Sequence, residues 1–233
     1  MSPEAGDAAG ERNLGEATVV DTSGEVVTVP PGGPVDVEDL ESGADPAVGV
    51  IGPRVDLGSL LVPIPEGVQL QVQMSEDSVP EAVHLLTDDP GRITVEAYAA
   101  PRTPGQWAQV VDTLTESLRA DGADVSVEDG RWGPEVVAAI SGTDLRFLGG
   151  DGPRWMVRCV IASPPGGVAA QSSLVEIART ILADTVINRG VEPYPVGVLL
   201  PVVLPSVITE QLADAHRQHR AATQQQARAS PST

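Results

Sequence analysis

The stretch DGPRWMVRCVIA, residues 151–162, decides the fold, because it predicts a tight turn that leads into a buried β-strand. Asp151-Gly152-Pro153 has the composition of a turn, and Gly149 and Gly150 widen the predicted loop. The preceding segment TDLRFLG (143–149) is also strand-like, so the two segments predict a hairpin. Two strands joined by so short a connection belong to an antiparallel sheet.

The predicted register of this hairpin pairs Phe147 with Trp155 on one face of the sheet. On the other face it sets Asp144 opposite Arg158, where the two side chains would form an ion pair. Cys159 shares the face of Trp155, so we expect its thiol to be buried and inert rather than reactive.

Five further segments have the alternation or the β-branched composition of strands. They are GVQLQVQM (67–74), AVHLLT (82–87), RITVEAYAA (92–100), ADVSVED (123–129) and PEVVAAIS (134–141).

Two segments predict helices. The first begins with Thr103 as N-cap, Pro104 in the first position and Gln106 completing a capping box, and Gly122 ends it. Its apolar residues, which include Trp107, recur at helical spacing. The second helix is predicted over about 168–186 and lies after a Pro- and Gly-rich break.

The resulting order is βββ-α-ββββ-α. It predicts an α+β domain with an antiparallel sheet of about six or seven strands and two helices packed on it. In topology alone, this organisation resembles the PsbP-like fold, and such a likeness says little about function.

The chain divides into three predicted parts. Residues 1–50 contain eleven acids and one arginine and predict a disordered acidic arm, within which 18–30 could form a transient hairpin or pair with a partner. Residues 51–205 predict a single α+β domain that closes with a proline-rich extended strap at 191–205. Residues 206–233 predict a frayed helix and a disordered tail.

Composition narrows the class of partner. A net charge of −19 argues against nucleic acid and against an anionic membrane surface, because both require clustered cations. No apolar run is long enough to span a bilayer, and no secretory signal is visible, so we expect a cytoplasmic protein. All 14 basic residues are arginines, so the chain has no lysine to act as a nucleophile or as the phosphate-binding lysine of a P-loop.

No motif for nucleophilic, metal or dinucleotide chemistry occurs, so we expect no catalytic residues, no cofactor and no metal site. His84 is interpreted as a structural residue within a strand. The candidate binding residues are charged side chains near predicted turns and strands: Arg54, Asp56, Asp144, Arg146, Arg154 and Arg158. Of these, Arg54 and Asp56 are expected to pair locally.

Several motifs resemble an actinobacterial family known only as a domain of unknown function. They are DLGSLLVPIPEGVQLQV (56–72), AYAAPRTPGQWAQV (97–110), RFLGGDGPRWMVR (146–158) and INRGVEPYPVGVLLPVVLP (187–205). The resemblance covers about residues 50–205 and implies a cytoplasmic actinobacterial protein with no assigned activity, cofactor or catalytic residue.

Two functions remain open. The first is a non-enzymatic protein-binding or adaptor domain that acts through the acidic arm, the strap and exposed side chains. The alternative is a domain that binds a small anionic ligand, or an enzyme, with a cleft between sheet and helices where Arg146, Arg154 or Arg158 holds the anion. A concave polar pocket would favour the alternative, and an apolar patch with a polar rim would favour the first.

Overall fold

The computed structural model describes residues 18–20, 26–28, 32–40, 45, 49–74, 80–206 and 208–209. The first strands in chain order are β1 (Thr18–Val20), β2 (Val26–Thr28), β3 (Val35–Asp36), β4 (Arg54–Asp56), β5 (Leu60–Pro63) and β6 (Gln69–Met74). The others are β7 (Pro80–Leu86), β8 (Arg92–Ala99), β9 (Asp124–Asp129), β10 (Pro134–Ile140), β11 (Thr143–Gly152), β12 (Trp155–Ser163) and β13 (Val186–Ile187). The helices are α1 (Gln106–Ala120) and α2 (Ser173–Ala183), with a single 3-10 turn at Val37–Asp39.

A seven-stranded antiparallel sheet forms the centre of the domain, in the order β6-β7-β8-β12-β11-β10-β9. Its strands and the two helices follow one another as βββ-α-ββββ-α, which confirms the predicted order and the α+β class. The specific likeness to the PsbP-like fold is not confirmed.

A second, four-stranded sheet has the order β3-β13-β5-β4, and its β3-β13 pair is parallel. β1 and β2 pair antiparallel in the hairpin that the sequence suggested within 18–30.

The two helices lie on opposite faces of the large sheet. On one face, α2 and the four-stranded sheet cover the main core, to which β12 contributes Trp155, Val157, Cys159 and Ile161. On the other face, α1 packs on β9 to β12 through a smaller cluster centred on Trp107. The predicted burial of Cys159 is confirmed, and burial raises the pKa of its thiol, which keeps it protonated.

The predicted register of the β11-β12 hairpin is wrong. Leu148 pairs with Cys159 and Phe147 with Val160, so Phe147 lies on the α1 face and Trp155 on the opposite face. The turn contains only Pro153 and Arg154, and β11 continues to its last residue, Gly152.

Glycines inside β11 explain this register. A Cβ at Gly149 would lie 2.6 Å from the Trp107 ring, and a Cβ at Gly152 would lie 2.0 Å from the Trp155 ring. These glycines therefore let two tryptophans pack against the strand, rather than widening a loop.

Both helices also begin later than predicted. α1 has Gly105 as its N-cap without a side-chain cap of its own. The Asp151 carboxylate accepts hydrogen bonds from the backbone N–H groups of Gly105 and Trp107, at 2.8 and 2.9 Å, and supplies the cap from the distant hairpin. α2 begins after Ser172, whose hydroxyl accepts from Val175 N. The predicted helix end at Gly122 is confirmed by its left-handed φ of 86°.

Part of the predicted acidic arm belongs to the domain. β3 pairs with β13, and Asp36 is buried, with its carboxylate accepting a 2.9 Å hydrogen bond from the Trp155 indole N–H. Most of residues 1–31 and 210–233, on which the arm and tail predictions fall, lie outside the described residues.

Candidate functional site

The six charged residues singled out in the sequence do not form one site. Arg54 pairs with Asp184 rather than with Asp56, through contacts of 2.5 Å to its carboxylate and 2.7 Å to its backbone oxygen. Asp56 instead accepts a hydrogen bond from Gly58 N, at 2.8 Å, within the β4-β5 turn. The local pairing predicted for Arg54 and Asp56 is therefore wrong.

Asp144 and Arg154 lie near opposite ends of the hairpin. Asp144 faces Ser163 across the strands and accepts a 2.7 Å hydrogen bond from Gly166 N in the loop before α2. Arg154 occupies the turn with a φ of 64°, in the left-handed region. Among the described residues, Arg158 pairs with Glu96 and contacts neither Asp144 nor Arg154, so the predicted Asp144–Arg158 ion pair is wrong.

Arg146 is enclosed between the large sheet and α2. Its guanidinium pairs with Glu135 at 2.5 Å, and both side chains are buried, with exposures of 1% and 2%. It also contacts the half-exposed Glu128 at 2.8 Å, while Arg179 from α2 contacts Glu135 at 3.0 Å. This network joins α2 to the sheet, and at 1% exposure the Arg146 side chain is not accessible to a ligand.

Arg158 lies on a different surface, which we call the open face. It is the half of the large sheet, formed by β6, β7, β8 and the adjoining part of β12, that lies beside α1 rather than under it. Alternation places eight polar side chains of β6, β7 and β8 on it: Gln69, Gln71, Gln73, His84, Arg92, Thr94, Glu96 and Tyr98. All eight are at least partly exposed.

Arg158, Glu96 and Tyr98 form a three-membered cluster on the open face. The Arg158 guanidinium donates twice to Glu96, at 2.9 and 2.7 Å, and once to the Tyr98 hydroxyl, at 2.5 Å. The Tyr98 hydroxyl in turn donates to Glu96 at 3.1 Å. Burial, with the nearby Glu96 charge, raises the pKa of Tyr98 to about 12, so the phenol stays protonated at neutral pH.

His84 stands one strand further out on the same face. One of its ring nitrogens is 2.7 Å from the Thr94 hydroxyl, and the other is 3.2 Å from the Gln73 side-chain oxygen. Burial and the charge of Arg92 lower the pKa of His84, which favours its neutral form. The described side chains of the open face thus offer hydrogen-bond donors and acceptors.

The strap, residues 191–205, brings apolar side chains to the edge of the open face. Leu199 pairs with Tyr98 across an antiparallel bridge, so the two side chains share that face. Backbone hydrogen bonds from Gly197 N to Ala99 O and from Leu200 N to Ala97 O, both 2.8 Å, fix the strap beside β8. Leu200 is buried in the core, which anchors the segment.

Exposed aliphatic residues are concentrated in the strap. Among the described residues, six of the eight exposed large apolar side chains belong to it: Val191, Val196, Val198, Leu199, Val202 and Val203. The sequence analysis predicted the strap but not the cluster of Arg158, Glu96 and Tyr98 beside it. The alternation of polar residues in β8 could have indicated this cluster, because it sets Thr94, Glu96 and Tyr98 on a single face.

The described residues contain no helix able to cross a bilayer, and no grouping of His, Cys, Asp and Glu side chains that could hold a metal ion.

A search of curated proteins finds no match to the chain. A crystal structure of a protein from Bacteroides thetaiotaomicron VPI-5482 is 14% identical, covers 62% of this chain and gives a TM-score of 0.37. The chain covers 52% of that protein, about half its length.

A family model described as "Protein of unknown function (DUF3710)" matches residues 33–211. The match includes β3 and extends past the strap, so it contains the seven-stranded sheet, the four-stranded sheet and both helices. It agrees with the resemblance to an uncharacterised family that the motifs indicated. On this match, the chain belongs to the DUF3710 family of proteins of unknown function.

Proposed function

We propose that the chain is a cytoplasmic protein-binding domain that presents the strap to a partner protein. The observation that carries the proposal is the concentration of exposed aliphatic side chains in one fixed segment. Single exposed apolar residues are ordinary on protein surfaces, but several of them within one short segment indicate an interaction site.

The strap also has the form of a recognition segment. It contains Pro193, Pro195, Pro201 and Pro205, it turns at Val196-Gly197, and backbone hydrogen bonds hold it beside β8 before any partner binds. A fixed, proline-containing segment loses little conformational entropy when it binds another protein.

The chemistry of the partner follows from charge. No ionisable acid or base other than Tyr194 lies between Glu192 and Glu210, so the contact itself is apolar. The chain around it carries a net charge of −19. We therefore assign the partner an apolar groove with basic residues at its rim, which would orient the approach of this acidic chain.

The test compares V196S/L199S with the matched control V50S/V127S. All four residues are exposed and apolar, but Val50 and Val127 lie outside the strap. Each variant captures proteins from a lysate of the cells that produce the chain. Proteins identified with the wild type are then purified, and their affinities are measured by calorimetry.

We expect at least one purified partner to bind the wild type and the control equally, and the strap variant at least about tenfold more weakly, since truncation of central apolar contacts costs more than 1 kcal/mol. Equal affinity of strap and control variants for every purified partner, or capture of no partner, would overturn the proposal.

A further inference from the structure

A shallow depression of about 200 Å³ lies between the β4-β5 turn and the strap. Two sequence motifs far apart in the chain meet there: DLGSLL contributes Ser59, and INRGVEPYP contributes Asn188, Arg189 and Tyr194. The depression is separate from the open face.

Arg189 is a buried cation without an acidic partner. Buried Arg54 and Arg146 each pair with a buried carboxylate, whereas Arg189, at 9% exposure, has no carboxylate partner among the described residues. It donates to the backbone oxygens of Gly190 and Glu192 and lies 5.5 Å from the centre of the Tyr194 ring. Its Nε has no hydrogen-bond partner within the part of the chain that the structure describes. An uncompensated buried charge is costly and favours binding of an anion.

A second unpartnered group lies at the same place. The Ser59 hydroxyl is buried and makes no hydrogen bond to any described residue. It lines the depression together with Arg189, so a guanidinium and a hydroxyl border the same space. Apolar contacts are supplied by Tyr194, Pro201 and Val203 around them.

We propose that this depression binds a carboxylate attached to a short apolar group. A carboxylate matches the planar donors of a guanidinium and accepts from a hydroxyl, and the apolar wall suits a branched aliphatic body. The volume is below the roughly 300–1,000 Å³ of pockets for drug-sized ligands, so the body is small. The source is either a free carboxylic acid or the C-terminal carboxylate of a protein that ends in an apolar residue.

Glu192 offers a test of the charge of the ligand. It lines the same depression, and its negative charge opposes an incoming anion. Neutralising this side chain should therefore strengthen the binding of a carboxylate and leave a neutral analogue unaffected.

The experiment measures binding of isovalerate, isovaleramide and the peptide acetyl-Val-Val, with a free C-terminus, to the full chain by ligand-detected NMR and calorimetry. We expect isovalerate to bind and its amide not to bind. S59A should weaken isovalerate at least about twofold, as for loss of one hydrogen bond. E192Q should strengthen it, and R189Q should abolish binding.

Circular dichroism checks that each variant is folded. If R189Q does not fold, S59A and E192Q decide the matter. Tighter binding of the peptide than of isovalerate identifies a protein C-terminus as the source, and the reverse identifies a free acid. Equal binding of acid and amide, no binding of either acid, or affinities unchanged in both S59A and E192Q would overturn the proposal. Because Val196 and Leu199 do not line the depression, V196S/L199S should bind isovalerate normally, so the strap proposal can fail independently.

Discussion

Arg146 and Arg158 lie on the neighbouring strands β11 and β12 and point to opposite faces of the large sheet. Each pairs with a glutamate, Arg146 with Glu135 at 2.5 Å and Arg158 with Glu96 at 2.7 Å. The first pair is 1% and 2% exposed, and the second is 26% and 25% exposed.

The contrast shows that a similar ion pair has different consequences on the two faces. Under α2, water is excluded, so each charge depends on its partner and the pair acts as a structural connection. On the open face, water solvates whatever a pair leaves free, so pairing contributes little to stability and its members remain accessible.

The largest effect expected from this contrast is that of Arg146→Ala. Because it removes the main partner of a buried carboxylate, the free energy of unfolding should fall by about 3–5 kcal/mol. Urea denaturation followed by circular dichroism measures the change. A loss below about 1 kcal/mol, similar to that expected for Arg158→Ala, would show that Arg179 alone compensates Glu135.

Asp36→Ala tests the covered face from its N-terminal side. The change leaves the buried Trp155 indole N–H without its acceptor, so we expect a loss of about 1–3 kcal/mol in the free energy of unfolding. Asp39→Ala, in the same 3-10 turn but exposed, is the matched control and should be nearly neutral. Equal stability of both variants would mean that residues 32–40 do not pack on the domain in solution.

A double-mutant cycle between Arg158 and Glu96 examines the open face. The coupling energy should be favourable and no more than about 1 kcal/mol, since both groups are partly solvated. A parallel cycle between Arg158 and Asp144 should give none. Coupling to Asp144 instead would restore the register predicted from the sequence and contradict the pairing of Gly149 with Arg158.

The smallest expected effect is on the ionisation of Tyr98, followed by absorbance. The pKa of Tyr98 is raised to about 12, so its absorbance change, obtained by subtracting a Tyr98→Phe variant from the wild type, should centre there. Because the pKa of Tyr98 is higher in the folded state than in the unfolded state, the protonated Tyr98 contributes to the stability of the fold. That contribution is complete below pH 10.0 and is lost as the pH rises towards 12. A midpoint at 10.0 would place Tyr98 in free solvent, outside the Arg158 cluster.

Much of the fold follows from local patterns. The alternation in β12 correctly placed Cys159 with Trp155 in the core, and the segment order gave the α+β class. The register of the hairpin could not be predicted, because Gly149 is needed only where Trp107 of α1 packs against it. That contact is tertiary, and a pair of glycines before a turn has the same composition as a loop.

The candidate sites were less predictable for a similar reason. Arg54 was expected to pair with nearby Asp56, yet its partner Asp184 lies 130 residues away in sequence. The strap was identified as extended from its prolines, but which of its aliphatic residues face outward depends on its pairing with β8. Local sequence does not specify such long-range contacts.

The pairing of β3 with β13 has a consequence for the order of events during synthesis. Residues 35–36 must wait for residues 186–187 before the four-stranded sheet can close, and the strap that borders β8 is made later still. A growing chain can form α1 and its cluster on β9 to β12 earlier, while the opposite apolar face of β8 and β12 lacks its cover from α2 until that helix has left the ribosome. Chains truncated before residue 173 would therefore expose to water the apolar surface that α2 covers, and such exposed surface favours aggregation.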